Sequence, residues 1–289
     1  MVQTGGFALT SSFQCPLCRL PLKPITKPGS KTNPLQEVET EERWECPNCA
    51  AQALHNRTFH RWDFSNFLFK STNPDRERVD WAYRLYSLAY APLALLNMLA
   101  VWRAGLGLLV GHYASAFRQA QGPILDVAIG DGALTALALH RSRAAISLIG
   151  LDLSPEMLAQ AETRLRTRAG FYSILADACA IPLASDSYET ICCFGGLHVI
   201  AHPAKAIHEM VRVLRPGGHF FASILLQPRG KVSQHLAKRY VELGFLSTSF
   251  SKTQALSLLT EAGLTIERSI LNGRMLLVTA RKLPVSRER

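Results

Sequence analysis

The chain has 289 residues, of which 48% are apolar and only 19% charged, so it can bury a sizeable core and is not intrinsically disordered. Its formal net charge of +10 invites a nucleic-acid partner, but residues 1–70 hold eight Lys and Arg against six Asp and Glu. Most of the excess therefore lies further along the chain, where solvated surface charge explains it more simply than a phosphate-binding or anionic-membrane surface.

The N-terminal stretch MVQTGGFALTSSFQ lacks a basic start followed by an apolar core, so we expect no secretory signal peptide. Seven cysteines, four of them in two CxxC pairs, favour a reducing compartment in which they bind metal rather than form disulfides. A cytoplasmic location is the default expectation.

Residues 1–62 are predicted to form a small zinc-ribbon-like module. Two CPxC turns, with twenty-seven residues between them, can present four thiolates to a structural zinc ion in tetrahedral geometry. The spacer exceeds the usual ~15–20 residues, and its polar, Pro-rich composition indicates a loop. Redox pairs are the alternative, although neither pair follows a strand of a βαβ unit, and His55 or His60 replacing one ligand is the lesser option. The predicted ligands are Cys15, Cys18, Cys46 and Cys49.

Residues 63–118 are predicted to form a linker and a helical lid. An aromatic helical pattern covers Val79–Tyr90, and the twenty residues Ala91–Val110 are almost wholly apolar and long enough to span a bilayer. However, Pro92 and Arg103 interrupt that run, and an arginine is costly in lipid. We therefore expect no transmembrane span but a buried or pocket-covering helix, with association with a membrane surface as the second option.

A strand, a glycine turn and a helix open the third unit, residues 119–289. An apolar run begins at Ile124, the turn Gly130-Asp131-Gly132 breaks it, and a helix-forming segment follows. Such a turn lets a ligand approach the backbone and the free N–H groups of the helix N-terminus. The next strand ends in Asp152, twenty-two residues after Gly130, where Rossmann-type sites hold a ribose diol.

The rest of this unit alternates strands and helices. Ser154 is a predicted N-cap, and further strands are predicted at Phe171–Ala176, at Thr190–Phe194 and over residues 219–225, the last after a helix that stops at Arg215-Pro216-Gly217-Gly218. Asn272-Gly273 between apolar runs indicates a terminal hairpin. The pattern predicts an α/β fold with a Rossmann-like doubly wound sheet, mostly parallel, with an antiparallel terminal hairpin.

Four segments in this order resemble the class I S-adenosylmethionine-dependent methyltransferases, over about residues 120–282. They are DVAIGDG, GLDLSPEML, ADACAIPLASDSYETICC and EMVRVLRPGG, and the last is similar to the branch that holds the ubiquinone and menaquinone C-methyltransferases. A NAD-binding dehydrogenase is the alternative, but the third position of its glycine fingerprint is Thr135 here.

The resemblance implies S-adenosylmethionine as cofactor and assigns roles to individual residues. Asp126, Gly130 and Gly132 would shape the site of its methionine part, and Asp152 would accept both ribose hydroxyls. Ala128 departs from the pattern, because the family usually has its first glycine there. The remaining residues implied to line the cofactor are Leu153, Met157, Asp177, Ala178 and Phe194, with Asp177 accepting from the adenine amino group.

His198, after the fourth strand, is the candidate general base, although a structural histidine at the cofactor rim explains it too. The GGLH segment and the apolar and aromatic segments before the domain favour a small, largely apolar methyl acceptor. The zinc-ribbon arrangement instead resembles the 23S ribosomal RNA guanine methyltransferases, in which the ribbon helps bind RNA. A third reading is a protein that binds S-adenosylmethionine without transferring its methyl group.

Overall fold

The structure is a computed structural model that describes residues 13–25, 41–56, 60–65, 102–166, 170–228 and 247–284. The predicted aromatic helix at 79–90 and residues 91–101 of the apolar segment lie outside this part. Residues 102–105 are not helical, so the predicted lid helix does not continue through them; a helix begins at Leu106 instead. No helix among the described residues is long and apolar enough to cross a membrane.

The described helices and strands follow one another in the order that the hydrophobic pattern predicts from residue 124 onward. The helices are α1 Leu106–Gln119, α2 Ala133–Ser142, α3 Pro155–Leu165, α4 Pro203–Val213 and α5 Lys252–Glu261. The strands are β1 Lys23–Pro24, β2 Glu41–Glu45, β3 Gln52–Asn56, β4 Arg61–Asp63, β5 Ile124–Val127, β6 Leu148–Asp152, β7 Phe171–Leu175, β8 Tyr188–Phe194, β9 Leu214–Leu225, β10 Leu264–Asn272 and β11 Met275–Lys282.

One mixed sheet contains all these strands, in the order β1-β2-β3-β4-β7-β6-β5-β8-β9-β11-β10. The strands from β4 to β9 are parallel, and β11 runs antiparallel to both β9 and β10. Every residue of β5 is buried, as expected for a central parallel strand covered on both faces. The predicted doubly wound sheet and its terminal hairpin are confirmed.

Helix α4 and strand β9 meet without the predicted break. The helix ends at Val213 and β9 starts at Leu214, so Arg215–Gly218 belong to the strand rather than to a connecting turn. The β8–β9 register shifts between Tyr188 and Thr190, which accommodates these residues as an irregularity of the ladder.

The N-terminal module continues the same sheet, which its sequence did not predict. Strand β4 pairs in parallel with β7, and the Arg61 side chain donates two hydrogen bonds of 2.6 Å to Glu162 of α3. The Ser173 hydroxyl of β7 donates to the same carboxylate at 2.5 Å. Phe13 and Trp62 pack in one hydrophobic core with the Rossmann-like strands. The module is thus joined to the domain by backbone, ionic and apolar contacts.

Candidate functional site

The turn after β5 lies at the carboxyl edge of the parallel strands, where α/β sheets bind ligands. Gly130 and Gly132 have φ angles of +61° and +72°, which side chains rarely adopt. Gly132 is the N-cap of α2 and has no side chain to cap it, and only the first N–H of the helix, that of Ala133, is accepted by a side chain, Asp131 Oδ1 at 3.0 Å. The first turn of α2 therefore presents backbone N–H groups at the sheet edge, as an approaching polar ligand requires.

Asp152, the last residue of β6, lies beside this turn as predicted. Its Oδ2 accepts a hydrogen bond from the Gly130 N–H at 2.8 Å, and its Oδ1 accepts from the Ser154 N–H at 3.0 Å. Burial raises the pKa of this carboxyl, and the N–H groups of Ser154 and Gly130 oppose the rise because they stabilise the charged form. These bonds fix the carboxylate between the ends of β5 and β6.

The other predicted cofactor residues follow β6 and β7. Leu153 is 37% exposed although it is large and apolar, whereas Met157 is only 2% exposed and packs inside. Asp177 accepts the Cys179 N–H at 2.8 Å through Oδ1, and Ala178 is buried beside it. The exposed face of Leu153 is therefore the apolar surface here that a purine ring can cover.

Asp126 belongs to a buried cluster in which the sequence analysis missed one member. The Tyr113 hydroxyl of α1 donates to Asp126 Oδ2, and the Thr135 hydroxyl donates to the same oxygen at 3.0 Å. Asp126 is 1% exposed, and burial raises its pKa well above the ordinary range, with the Thr135 hydrogen bond opposing. The Tyr113 ring also stacks on Phe194, with 3.8 Å between centroids.

The sequence contains a pattern that predicts the burial of Tyr113, but this pattern concerns only the residues of α1. Buried residues recur at helical spacing along α1, and Tyr113 is one of them together with Leu109, Val110, Ala116 and Phe117. That periodicity predicts an apolar face toward the sheet. It does not identify Asp126, thirteen residues later, as the partner of the hydroxyl.

Ala128 adopts the backbone conformation of the glycine that it replaces. Its φ angle is +58°, and a Cβ placed on Gly196 would come within 2.7 Å of the Ala128 methyl group. The methyl group thus occupies space at the cofactor turn, and the backbone carries the strain of a left-handed alanine.

Replacing Ala128 with Gly should stabilise the protein by about 0.5–1 kcal/mol, because relief of the left-handed strain exceeds the entropy that glycine gains in the unfolded chain. Urea unfolding at equilibrium measures the change. The matched control is Ala159→Gly on the exposed face of α3, which should destabilise the protein by about 1 kcal/mol. A loss of stability in Ala128→Gly would show that the methyl packing outweighs the strain.

His198 lies just beyond β8 and is 3% exposed. Its ring contacts Trp102 edge-on, with 5.6 Å between centroids, and its carbonyl oxygen accepts the Ser247 N–H at 2.9 Å. Burial, with a smaller contribution from the charge of Arg274, lowers the pKa of His198 to about 4. The imidazole is therefore neutral at physiological pH and accepts hydrogen bonds through one ring nitrogen.

The four predicted zinc ligands converge. Their sulfur atoms all lie within 4.8 Å of one another, and the Cys15 and Cys49 sulfurs are 3.6 Å apart. Tetrahedral zinc with Zn–S bonds of about 2.3 Å holds its sulfurs about 3.8 Å apart, so the cluster fits that ion. Burial raises the pKa of Cys46, yet the N–H groups of Cys49 and Asn48 and the neighbouring thiols bring it down to about 7. His55 contacts Glu42 and Trp62 instead of the cluster.

Residues 125–222 match a family model described as "Methyltransferase domain". The chain is 31% identical over 146 residues to the ubiquinone/menaquinone biosynthesis C-methyltransferase UbiE of Geotalea daltonii, covering 49% of this chain and 62% of that protein. It is 34% identical over 125 residues to the demethylmenaquinone methyltransferase of Thermus thermophilus, covering 43% of this chain and 56% of that protein. The chain thus spans only 56–62% of the length of these two relatives.

Solved structures share the fold. YcgJ from Bacillus subtilis aligns with a TM-score of 0.52 at 18% identity, over 62% of this chain and 98% of that chain. The [4+2]-cyclase SpnF aligns with a TM-score of 0.51 at 20% identity, over 61% of this chain and 80% of that chain. The glycine turn, Asp152 and the sheet order thus agree with the similarity of residues 125–222 to a methyltransferase domain.

Proposed function

We propose that the chain transfers a methyl group from S-adenosylmethionine to a small, largely apolar acceptor with a quinone-like ring. The assignment of S-adenosylmethionine as the methyl donor rests on the position of Asp152. This residue is hydrogen-bonded to the turn after β5 and to the start of α3, at the carboxyl edge of the sheet. The proposed acceptor class follows from the names of the two relatives, a ubiquinone/menaquinone biosynthesis C-methyltransferase and a demethylmenaquinone methyltransferase.

Residues at the ends of three strands, β5, β6 and β7, each bind a different part of S-adenosylmethionine. Asp152 accepts the two ribose hydroxyls, the Asp177 carboxylate accepts from the adenine amino group, and Leu153 packs on the ring. The turn at Gly130 and Gly132 holds the methionine part. Asp126 holds the start of α2, next to that turn, because it accepts the hydrogen bond of the hydroxyl of Thr135, the third residue of α2.

S-adenosylmethionine supplies an activated methyl group, so the protein mainly has to align the two reactants and keep water out. His198 suits this because it is neutral and buried at the strand end nearest the acceptor side, where it can accept the hydrogen bond of an acceptor hydroxyl.

We also propose that the four cysteines of the ribbon hold one structural zinc ion. All four positions are filled by thiolates, so the ion has no open position for substrate chemistry. The proposed units remain the ribbon at 1–62, the linker and lid at 63–118 and the methyltransferase domain at 119–289.

The test is binding and turnover with purified full chain. Titration calorimetry should detect S-adenosylhomocysteine binding but no NADH binding, and the reverse result would remove the proposal. Transfer of labelled methyl from S-adenosylmethionine should then be measured with a short-chain demethylmenaquinol and, in parallel, with unmethylated ribosomal RNA. Label in the quinol supports the proposed acceptor class, whereas label in RNA alone would replace it with RNA.

A further inference from the structure

Arg274 and His198 lie at the same edge of the sheet although they are far apart in sequence. Strand β11 runs antiparallel to β9, so its first residue, Met275, pairs with Leu225, the last residue of β9. Arg274 directly precedes Met275 and is thereby placed at the carboxyl edge of the parallel strands. His198 follows β8, the parallel neighbour of β9, at this same edge.

Trp102 contacts the backbone of Arg274 and the side chain of His198. The Arg274 N–H donates to the Trp102 carbonyl at 2.8 Å, while the Trp102 ring contacts His198. A second backbone bond, from the Leu226 N–H to the Arg274 carbonyl at 2.8 Å, fixes the same turn. The backbone of Arg274 is thus held on both sides, and its guanidinium projects from a fixed base.

The polar atoms of this cluster are incompletely paired within the described part of the chain. The Arg274 guanidinium donates one hydrogen bond, from Nη2 to the Leu226 carbonyl at 2.9 Å, and no carboxylate among the described residues pairs with it. Its Nε and His198 Nδ1 are both buried without a hydrogen-bond partner there. Buried polar groups are usually paired with protein, ordered water or a bound ligand, so these two atoms call for a partner.

The chemistry of the Arg274 and His198 nitrogens indicates which ligand atoms could form hydrogen bonds with them. A guanidinium offers several N–H donors in one plane and no acceptor, which suits an oxygen that carries negative charge. The neutral imidazole of His198 instead accepts one hydrogen bond. Burial lowers the pKa of Arg274, because fewer water molecules surround the charged guanidinium.

We propose that Arg274 and His198 form the polar end of the acceptor site and bind an acidic ring hydroxyl of phenol or enol type. His198 accepts the hydrogen bond of the hydroxyl and takes its proton as the ring attacks the methyl group, and Arg274 binds the oxygen as it becomes anionic. This inference rests on the proposed methyltransferase function and adds the acceptor's chemical class. It accounts for a guanidinium whose Nε is buried and which pairs with no carboxylate among the described residues, and an ionised hydroxyl also makes the ring a better nucleophile.

The probe is para-nitrophenol, whose anion absorbs visible light, titrated into the full chain saturated with S-adenosylhomocysteine. The wild type should bind the anion and lower the apparent pKa of the bound phenol. Arg274→Gln should weaken anion binding at least tenfold, whereas Arg274→Lys should retain part of it. The matched control Arg268→Gln, at an exposed position of β10, should change binding less than twofold. Nitrobenzene, which lacks the hydroxyl, should bind the wild type and Arg274→Gln equally.

The two proposals fail separately. If S-adenosylhomocysteine does not bind the wild type, the proposed function is wrong. If S-adenosylhomocysteine binds the wild type and Arg274→Gln equally but the nitrophenolate affinity is unchanged, or the wild type binds no nitrophenolate, Arg274 does not recognise an anionic oxygen. Thermal unfolding of each variant distinguishes a local loss of binding from a loss of the fold.

Discussion

Replacing Cys46 with Ala should abolish binding of the proposed zinc ion and destabilise the domain at 119–289 as well as the ribbon. Structural zinc contributes about 10–16 kcal/mol to the folding of small zinc modules, so losing one of four ligands costs more than any other change considered. We expect about one zinc ion per chain in the wild type and much less in the variant. Metal analysis of purified protein and thermal unfolding measure the two effects.

The loss should reach the cofactor because the ribbon and the residues that directly follow it contact both ends of the segment that carries Asp177. The Phe64 N–H donates to the Leu175 carbonyl at 2.9 Å before this segment. The Gln14 N–H donates to the Pro182 carbonyl at 3.2 Å after it, and Arg19 reaches Ile181 and Glu209. We therefore expect weaker S-adenosylhomocysteine binding in Cys46→Ala even at temperatures where the domain stays folded.

The matched control is Cys192→Ala, which removes a buried cysteine of β8 that is no part of the sulfur cluster. It should keep its metal content and lose only the modest stability expected for a smaller buried side chain. A Cys46→Ala protein with undiminished zinc would contradict the assigned ligands. A metal-free protein with unchanged unfolding temperature and cofactor affinity would show that the ribbon is independent of the domain.

Local sequence signals were sufficient to predict the central sheet. A few neighbouring residues are enough to predict the strands that end before Gly130 and at Asp152. The same is true of the hairpin at Asn272-Gly273. The sequence also identifies Ala128 as unusual, because the resemblance implies a glycine at this position. Its φ of +58° is known only from the structure.

Contacts between distant segments could not be predicted in this way. Strand β4 has three residues, too few to show a period, and its pairing with β7 depends on the bond between Arg61 and Glu162, which are 101 residues apart. Likewise the sequence suggested His198 as a functional residue, but nothing local linked it to Arg274. Pairings of this kind are decided by packing, which a single sequence does not display.

Replacing Asp152 with Ala should weaken S-adenosylhomocysteine binding by about 1–3 kcal/mol, roughly 5- to 150-fold, because it removes the proposed acceptor of the ribose hydroxyls. Titration calorimetry measures the loss. The matched control is Asp186→Asn, at an exposed carboxylate that pairs with Lys282, where cofactor affinity should not change.

A chemical comparison separates this role from a merely structural one, since Asp152 also accepts the N–H groups of Gly130 and Ser154. If Asp152 binds the ribose, the wild type should prefer S-adenosylhomocysteine over its 2′-deoxy analogue, and Asp152→Ala should bind both alike. If instead the carboxylate only shapes the turn, both ligands weaken by the same factor in the variant and the preference survives. Persistence of that preference would therefore assign the ribose to another residue, even with the affinity reduced.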